Sequence, residues 1–72
     1  MDAYERLANA IILQAVKDYR RTLKRLSKRP HDSDIKKDKM DLEELFRSDW
    51  FSTLTSLDPE VLIEKLTSEV SA

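Results

Sequence analysis

The sequence predicts an all-α fold: a small bundle of three to four helices, with one long N-terminal helix and shorter helices packed back on it. Three observations lead there. Apolar residues recur at spacings of three and four along the first 28 positions, the period of a helix laid on a core. Helix boundaries are written into Pro30 and into Asp58-Pro59-Glu60. Glycine is absent, which removes glycine C-caps and phosphate-cradling loops and leaves few ways to turn a hairpin.

The first helix is expected over residues 2–28. Tyr4, Ala8, Ile11, Ile12, Ala15, Tyr19, Leu23 and Leu26 fall within about 120° on a helical wheel. Asp2 and Glu5 near its start and Lys24, Arg25, Lys28 and Arg29 near its end suit the helix dipole. Pro30 stops it, and residues 29–34 form a turn. Asp32 or Ser33 caps a second helix reaching Phe46 or Arg47, with Ile35, Met40, Leu42, Leu45 and Phe46 as its apolar residues. Ser48 caps a brief third helix carrying Trp50, Phe51 and Leu54. Asp at N-cap, Pro at the first helical position and an acid in the first turn then start a fourth helix over residues 59–69. Residues 51–57 offer the nearest strand pattern, but serines and threonines ahead of an Asp-Pro cap fit a helix junction better.

Seventy-two residues make one domain, expected to bury only about 60% of the extended chain's surface. With no cysteine, disulfides, thiolate metal sites and thiol catalysis are excluded. No apolar run nears the roughly 20 residues of a transmembrane helix, and residues 1–14 lack a basic leader before an apolar stretch. The expected location is therefore the cytoplasm. A hydrophobic content of 40% with clear periodicity argues against disorder despite 38% charged residues.

Charge is distributed unevenly. Residues 17–29 hold seven Lys or Arg and one acid, for +6, whereas residues 40–72 hold eight acids and two bases, for −6. On the wheel, Lys17, Arg20, Arg21, Lys24, Arg25 and Lys28 form one ridge opposite the apolar stripe. Ala10 and Leu13 lie on the same back face upstream, either ordinary exposed apolar residues or the seed of a second contact surface. The ridge suits a phosphate backbone or an acidic protein surface. Its plainest reading is a solvated face, offset by Asp18 and the acids of the C-terminal half. The pI of 5.8 is unlike a dedicated nucleic-acid binder. The opposed halves also suit self-association, antiparallel or head to tail.

Trp50 and Phe51 are adjacent and point about 100° apart on a helix, so one can be core and the other rim. The plain expectation is that Phe46, Trp50, Phe51 and Leu54 close the bundle over Tyr19 and Leu23. The sharper one is that Trp50 anchors a protein partner. Tyr4 and Tyr19 read as core-edge residues. His31 stands alone in the turn without a nucleophile. A metal set of His31, Asp32 and Asp34 lacks a recognised spacing, and Asp41, Glu43 and Glu44 share no evident dry pocket. Neither catalysis nor a cofactor, metal or small-molecule substrate is expected. A membrane-surface role is disfavoured because the apolar arc of the first helix is needed for the core.

Residues 10–30 and 45–66, about 60% of the chain, resemble a family of small proteins encoded in prophages and integrative elements of Gram-positive bacteria. Lys17, Asp18, Tyr19 and Arg20 match its basic helix. Phe46, Arg47, Ser48, Trp50 and Phe51 match its F-R-S-x-W-F segment, with Leu45 where the family often has Phe. The resemblance implies a mobile-element context and a bacterial cytosol, with no assigned activity. The functional expectation is thus a small helical interaction or accessory protein that binds a protein partner or itself, through Trp50 or through the Leu13 and Ala10 side. The alternative is a nucleic-acid-associated factor using the ridge.

Overall fold

The computed structural model describes residues 3–71. They form four helices: α1 (Ala3–Lys28), α2 (Ser33–Phe46), α3 (Asp49–Leu54) and α4 (Pro59–Ser71). The expected start at Asp2 lies outside the described residues, and α4 runs two residues past the expected Glu69. Val70 packs on the core from that last turn, which explains the extension.

Local chemistry sets each boundary. Asp32 caps α2, its carboxylate accepting from the Asp34 and Ile35 amides at 2.9 and 3.1 Å. Ser48 caps α3 by accepting from the Phe51 amide, and its hydroxyl donates back to the Leu45 carbonyl. Asp58 accepts from the Glu60 amide at the start of α4. No described residue has positive φ. Without glycine, α2 closes instead through Arg47, whose amide donates to the Glu43 carbonyl.

α1 and α2 form an antiparallel hairpin. Arg47, just past α2, is bonded to Glu60 in the first turn of α4, while Glu69 in the last turn reaches Arg20 of α1. α4 therefore runs parallel to α1. At about 1.5 Å per residue, its start lies level with the Ile11–Leu13 region of α1. The bundle measures 42 × 22 × 18 Å.

Tyr19 of α1, Phe46 of α2 and Phe51 of α3 are fully buried and stack edge to face in series, each ring pair 5.4 Å apart. Each such pair contributes about 0.5–1.5 kcal/mol beyond burial. Ala15, Leu23 and Leu66 complete the buried cluster. Tyr19 is thus the centre of the core, at 0% exposure, and not the edge residue expected from its hydroxyl. That hydroxyl donates to Glu43 Oε2 at 2.6 Å, so burial leaves no polar atom unpaired.

Other expectations change as well. Tyr4 (60% exposed) and Met40 leave the predicted apolar faces for solvent, and Trp50 does not close the bundle. The basic C-terminal end of α1 does not project from the bundle. The turn at residues 29–32 instead returns α2 directly along that end, where Ile35 is buried. The uncovered end is the N-terminal one: Tyr4 and Leu7 lie beyond the start of α4 and the short α3.

Candidate functional site

Two features stand out, and they occupy different parts of α1. The first is an apolar groove of about 260 Å³ between α1, α2 and α3, lined by Ile11, Ala15, Leu42, Leu45 and Trp50 with Gln14 and Asp18 at its edge. Trp50 is 52% exposed because the Ser48 cap fixes the phase of α3 and Phe51 takes the core-facing position. One residue earlier on the helix, the indole is rotated by about 100° to the rim. Gln14 Nε2 donates to Asp18 Oδ1 at 2.8 Å, which holds the polar edge in place.

The second feature is the ridge. Lys17, Arg20, Arg21, Lys24, Arg25 and Lys28 are all exposed, as the wheel requires. Lys17, Arg20, Arg21 and Lys24 border one shallow cavity of about 290 Å³, and Arg25, Lys28 and Arg29 border another of about 310 Å³ with Ile35 at its base. Among the described residues, Arg20 alone of the six has an ion-pair partner, Glu69 at 2.8 Å. The Glu69 hydrogen bond and charge raise the Arg20 pKa and lower that of Glu69. Direct ion pairing of the ridge with the acidic half is therefore, among the described residues, confined to Arg20. Asp18 bonds Gln14 instead of neutralising a neighbour.

The nine residues carrying the family resemblance sort by structural task. Tyr19, Phe46 and Phe51 are core. Ser48 is a cap, Arg20 and Arg47 bind α4, and Asp18 accepts from Gln14. The side chains of Lys17 and Trp50 have no such task. These two belong to the ridge and the groove respectively.

A polar network under the core was not anticipated. Lys39 Nζ lies 2.6 Å from Glu43 Oε2, the oxygen that also accepts from Tyr19, and Arg47 stands 3.9 Å from Oε1. Burial pushes the Glu43 carboxyl upward, but the Lys39 and Tyr19 hydrogen bonds and nearby cations outweigh it and hold it below the ordinary range. The Tyr19 hydroxyl is pushed up to about 12, by burial first and the Glu43 hydrogen bond second. The cluster ties the Tyr19 hydroxyl in the core to Lys39 and Arg47 at the surface of α2 and its C-terminal end.

His31 is exposed in the turn, and Asp32 is committed to its cap. Among the described residues no set of three His, Asp or Glu could hold a metal ion, and no helix is long and apolar enough to cross a membrane. Leu7 was missed by the sequence reading, although its spacing of three from Ala10 was a usable signal. The groove itself was illegible, since Leu42 and Leu45 look like core until α3 is placed. The chain matches no protein-family model, no curated protein and no solved structure.

Proposed function

We propose that this protein is a small helical interaction module that takes an apolar side chain of a protein partner into the groove beside Trp50. The observation that carries the reading is the half-exposed indole at the lip of a preformed apolar groove. Tryptophan is the side chain over-represented among residues that dominate binding energy, and truncating such an anchor costs about 2 kcal/mol or more of affinity. Asp18 at the edge favours a partner segment with Lys or Arg beside its apolar anchor. The groove offers contact area and no reactive group, which supports a binding role over an enzymatic one. The resemblance supports a mobile-element context and a bacterial cytosol as its setting.

Affinity capture from source-cell lysate tests this. A protein retained by the wild type, with and without nuclease, and lost with Trp50→Ala is the expected result. Retention unchanged by Trp50→Ala overturns the reading.

A second reading has its own observation: five outward cations without an ion-pair partner among the described residues. Here the ridge binds duplex nucleic acid. Affinity should then fall steeply with salt, and Arg21→Glu with Lys24→Glu should abolish binding with helicity unchanged. Binding that survives the double substitution rejects it.

A further inference from the structure

The α1–α2 hairpin has two sides, and the fold treats them differently. α4 packs on one, hydrogen-bonded to Arg20 and Arg47. The side on which the Trp50 groove opens carries only α3, whose six residues span about 9 Å at 1.5 Å per residue. The 14 residues of α2 span about 21 Å on the same scale. Roughly two helical turns of the hairpin therefore lie open beyond α3.

This open stretch is acidic. Asp18 of α1 stands at the edge of the groove. On α2, Asp38 and Asp41 precede the groove-lining Leu42 and Leu45 by four positions each, which places them on the same side of the helix. Among the described residues none of the three carboxylates is in an ion pair. The nearest cations of α1 border other cavities, Arg21 that of Lys17 and Lys24, and Arg25 that of Lys28. Lys39 is taken by Glu43 on the opposite flank of α2. Only Lys37, four positions before Asp41, shares this rim of α2 among the described residues.

We propose, resting on the groove reading above, that this side of the hairpin binds a basic amphipathic helix. The helix seats an apolar side chain beside Trp50 and sets Lys or Arg against Asp18, Asp38 and Asp41. A helix fits because the open stretch is a seam between two antiparallel helices, along which a third can lie at about 8–10 Å between axes. Among the described residues there is no sheet edge to pair with an extended peptide. The carboxylates attract cations and repel an acidic peptide or a nucleic-acid strand.

The antiparallel hairpin also sets the register. Asp18 lies three positions after Ala15, and Asp41 and Asp38 lie four and seven before Leu45, so all three extend from the groove in one direction. At 1.5 Å per residue they stand about 5, 6 and 10 Å from it along the axis. The partner's cations then fall one and two turns from its apolar anchor, at spacings of three or four and of seven.

The probe is a displayed library of helix-forming peptides of about 14 residues, randomised on one face and selected on the wild-type protein. Enriched peptides should carry an aromatic residue or Leu, with Lys or Arg three or four and seven positions away. Trp50→Ala should weaken them about thirtyfold. Asp18→Asn, Asp38→Asn and Asp41→Asn together should weaken them about tenfold and reduce the salt dependence, with circular dichroism unchanged in both variants. Binders that need Trp50 but lack the basic pattern and ignore the triple substitution overturn the basic helix and leave the groove reading standing. Binders indifferent to Trp50→Ala overturn both. Acidic binders, or none, overturn the proposal. So does a wild type that dimerises alone and loses the dimer with Trp50→Ala, since a second copy then fills the groove.

Discussion

The two halves of α1 differ in what they do with the same helix. In the C-terminal half, Tyr19, Thr22 and Leu23 are buried, Tyr19 is hydrogen-bonded to α2 and Arg20 to α4, and the outer face is charged. In the N-terminal half only Ala8 is buried among residues 3–14, and large apolar side chains stand on both faces. Stability is concentrated around Tyr19, while unsatisfied apolar surface is concentrated toward the other end and around Trp50. A short chain whose three shorter helices cover α1 on one side from about Ala8 onward leaves the large apolar side chains of its first turns available for contact.

The sharpest way to break this contrast is to attack the Tyr19 end. Phe46→Ala removes the ring between Tyr19 and Phe51 and should cost about 3–5 kcal/mol. That is a large share of the roughly 4–11 kcal/mol expected for a domain of this size. Thermal unfolding followed by circular dichroism should show most of the cooperative transition lost. An effect as small as that of a surface change would remove the aromatic series from the centre of the fold.

The next effect is set by pH. Tyr19 has a folded pKa of about 12, above its unfolded value, so its protonated form is the stabilised one. That contribution is complete below about pH 10 and is lost as pH rises toward 12, by roughly 2 kcal/mol. Glu43 has the opposite sign. Its pKa is depressed in the fold, so its contribution is present above the ordinary carboxylate range and lost as pH falls through the folded value. Denaturant midpoints measured from pH 3 to 12 should fall at both ends. Tyr19→Phe should flatten the alkaline limb, and an unaltered limb would mean another group titrates there.

A smaller effect tests the cap that phases α4. Asp58→Ala should cost about 1 kcal/mol, read as a shift in urea midpoint with an unchanged slope. At the other extreme, Trp50→Ala and Leu13→Ser should alter monomer stability by no more than about 0.5 kcal/mol, because both side chains are more than half exposed. A loss comparable to that of Phe46→Ala would mean that these residues serve the fold and would erase the contrast between the halves.

Periodicity and capping chemistry were local enough to be read from the chain. The stripe on α1, the stop at Pro30 and the caps at Asp32, Ser48 and Asp58 depend on residues within four positions of one another, and they recur in the structure. The outward direction of the ridge follows likewise from helical geometry. Partnership across the fold was not legible. Nothing in the spacing indicates that Glu43 takes the Tyr19 proton donor, that Arg20 is the ridge residue neutralised by Glu69, or that Met40 is left outside.

The sequence by itself determined that this is a helical protein with a basic face, because hydrophobic period, caps and charge act over one or two helical turns. Tertiary structure decided which apolar residues remain exposed. Trp50 and Phe51 are equally apolar neighbours, and Leu7 and Leu13 have the same side chain as buried Leu23. Only the lengths and phases of α2, α3 and α4 determine which of them finds a helix opposite and which faces water.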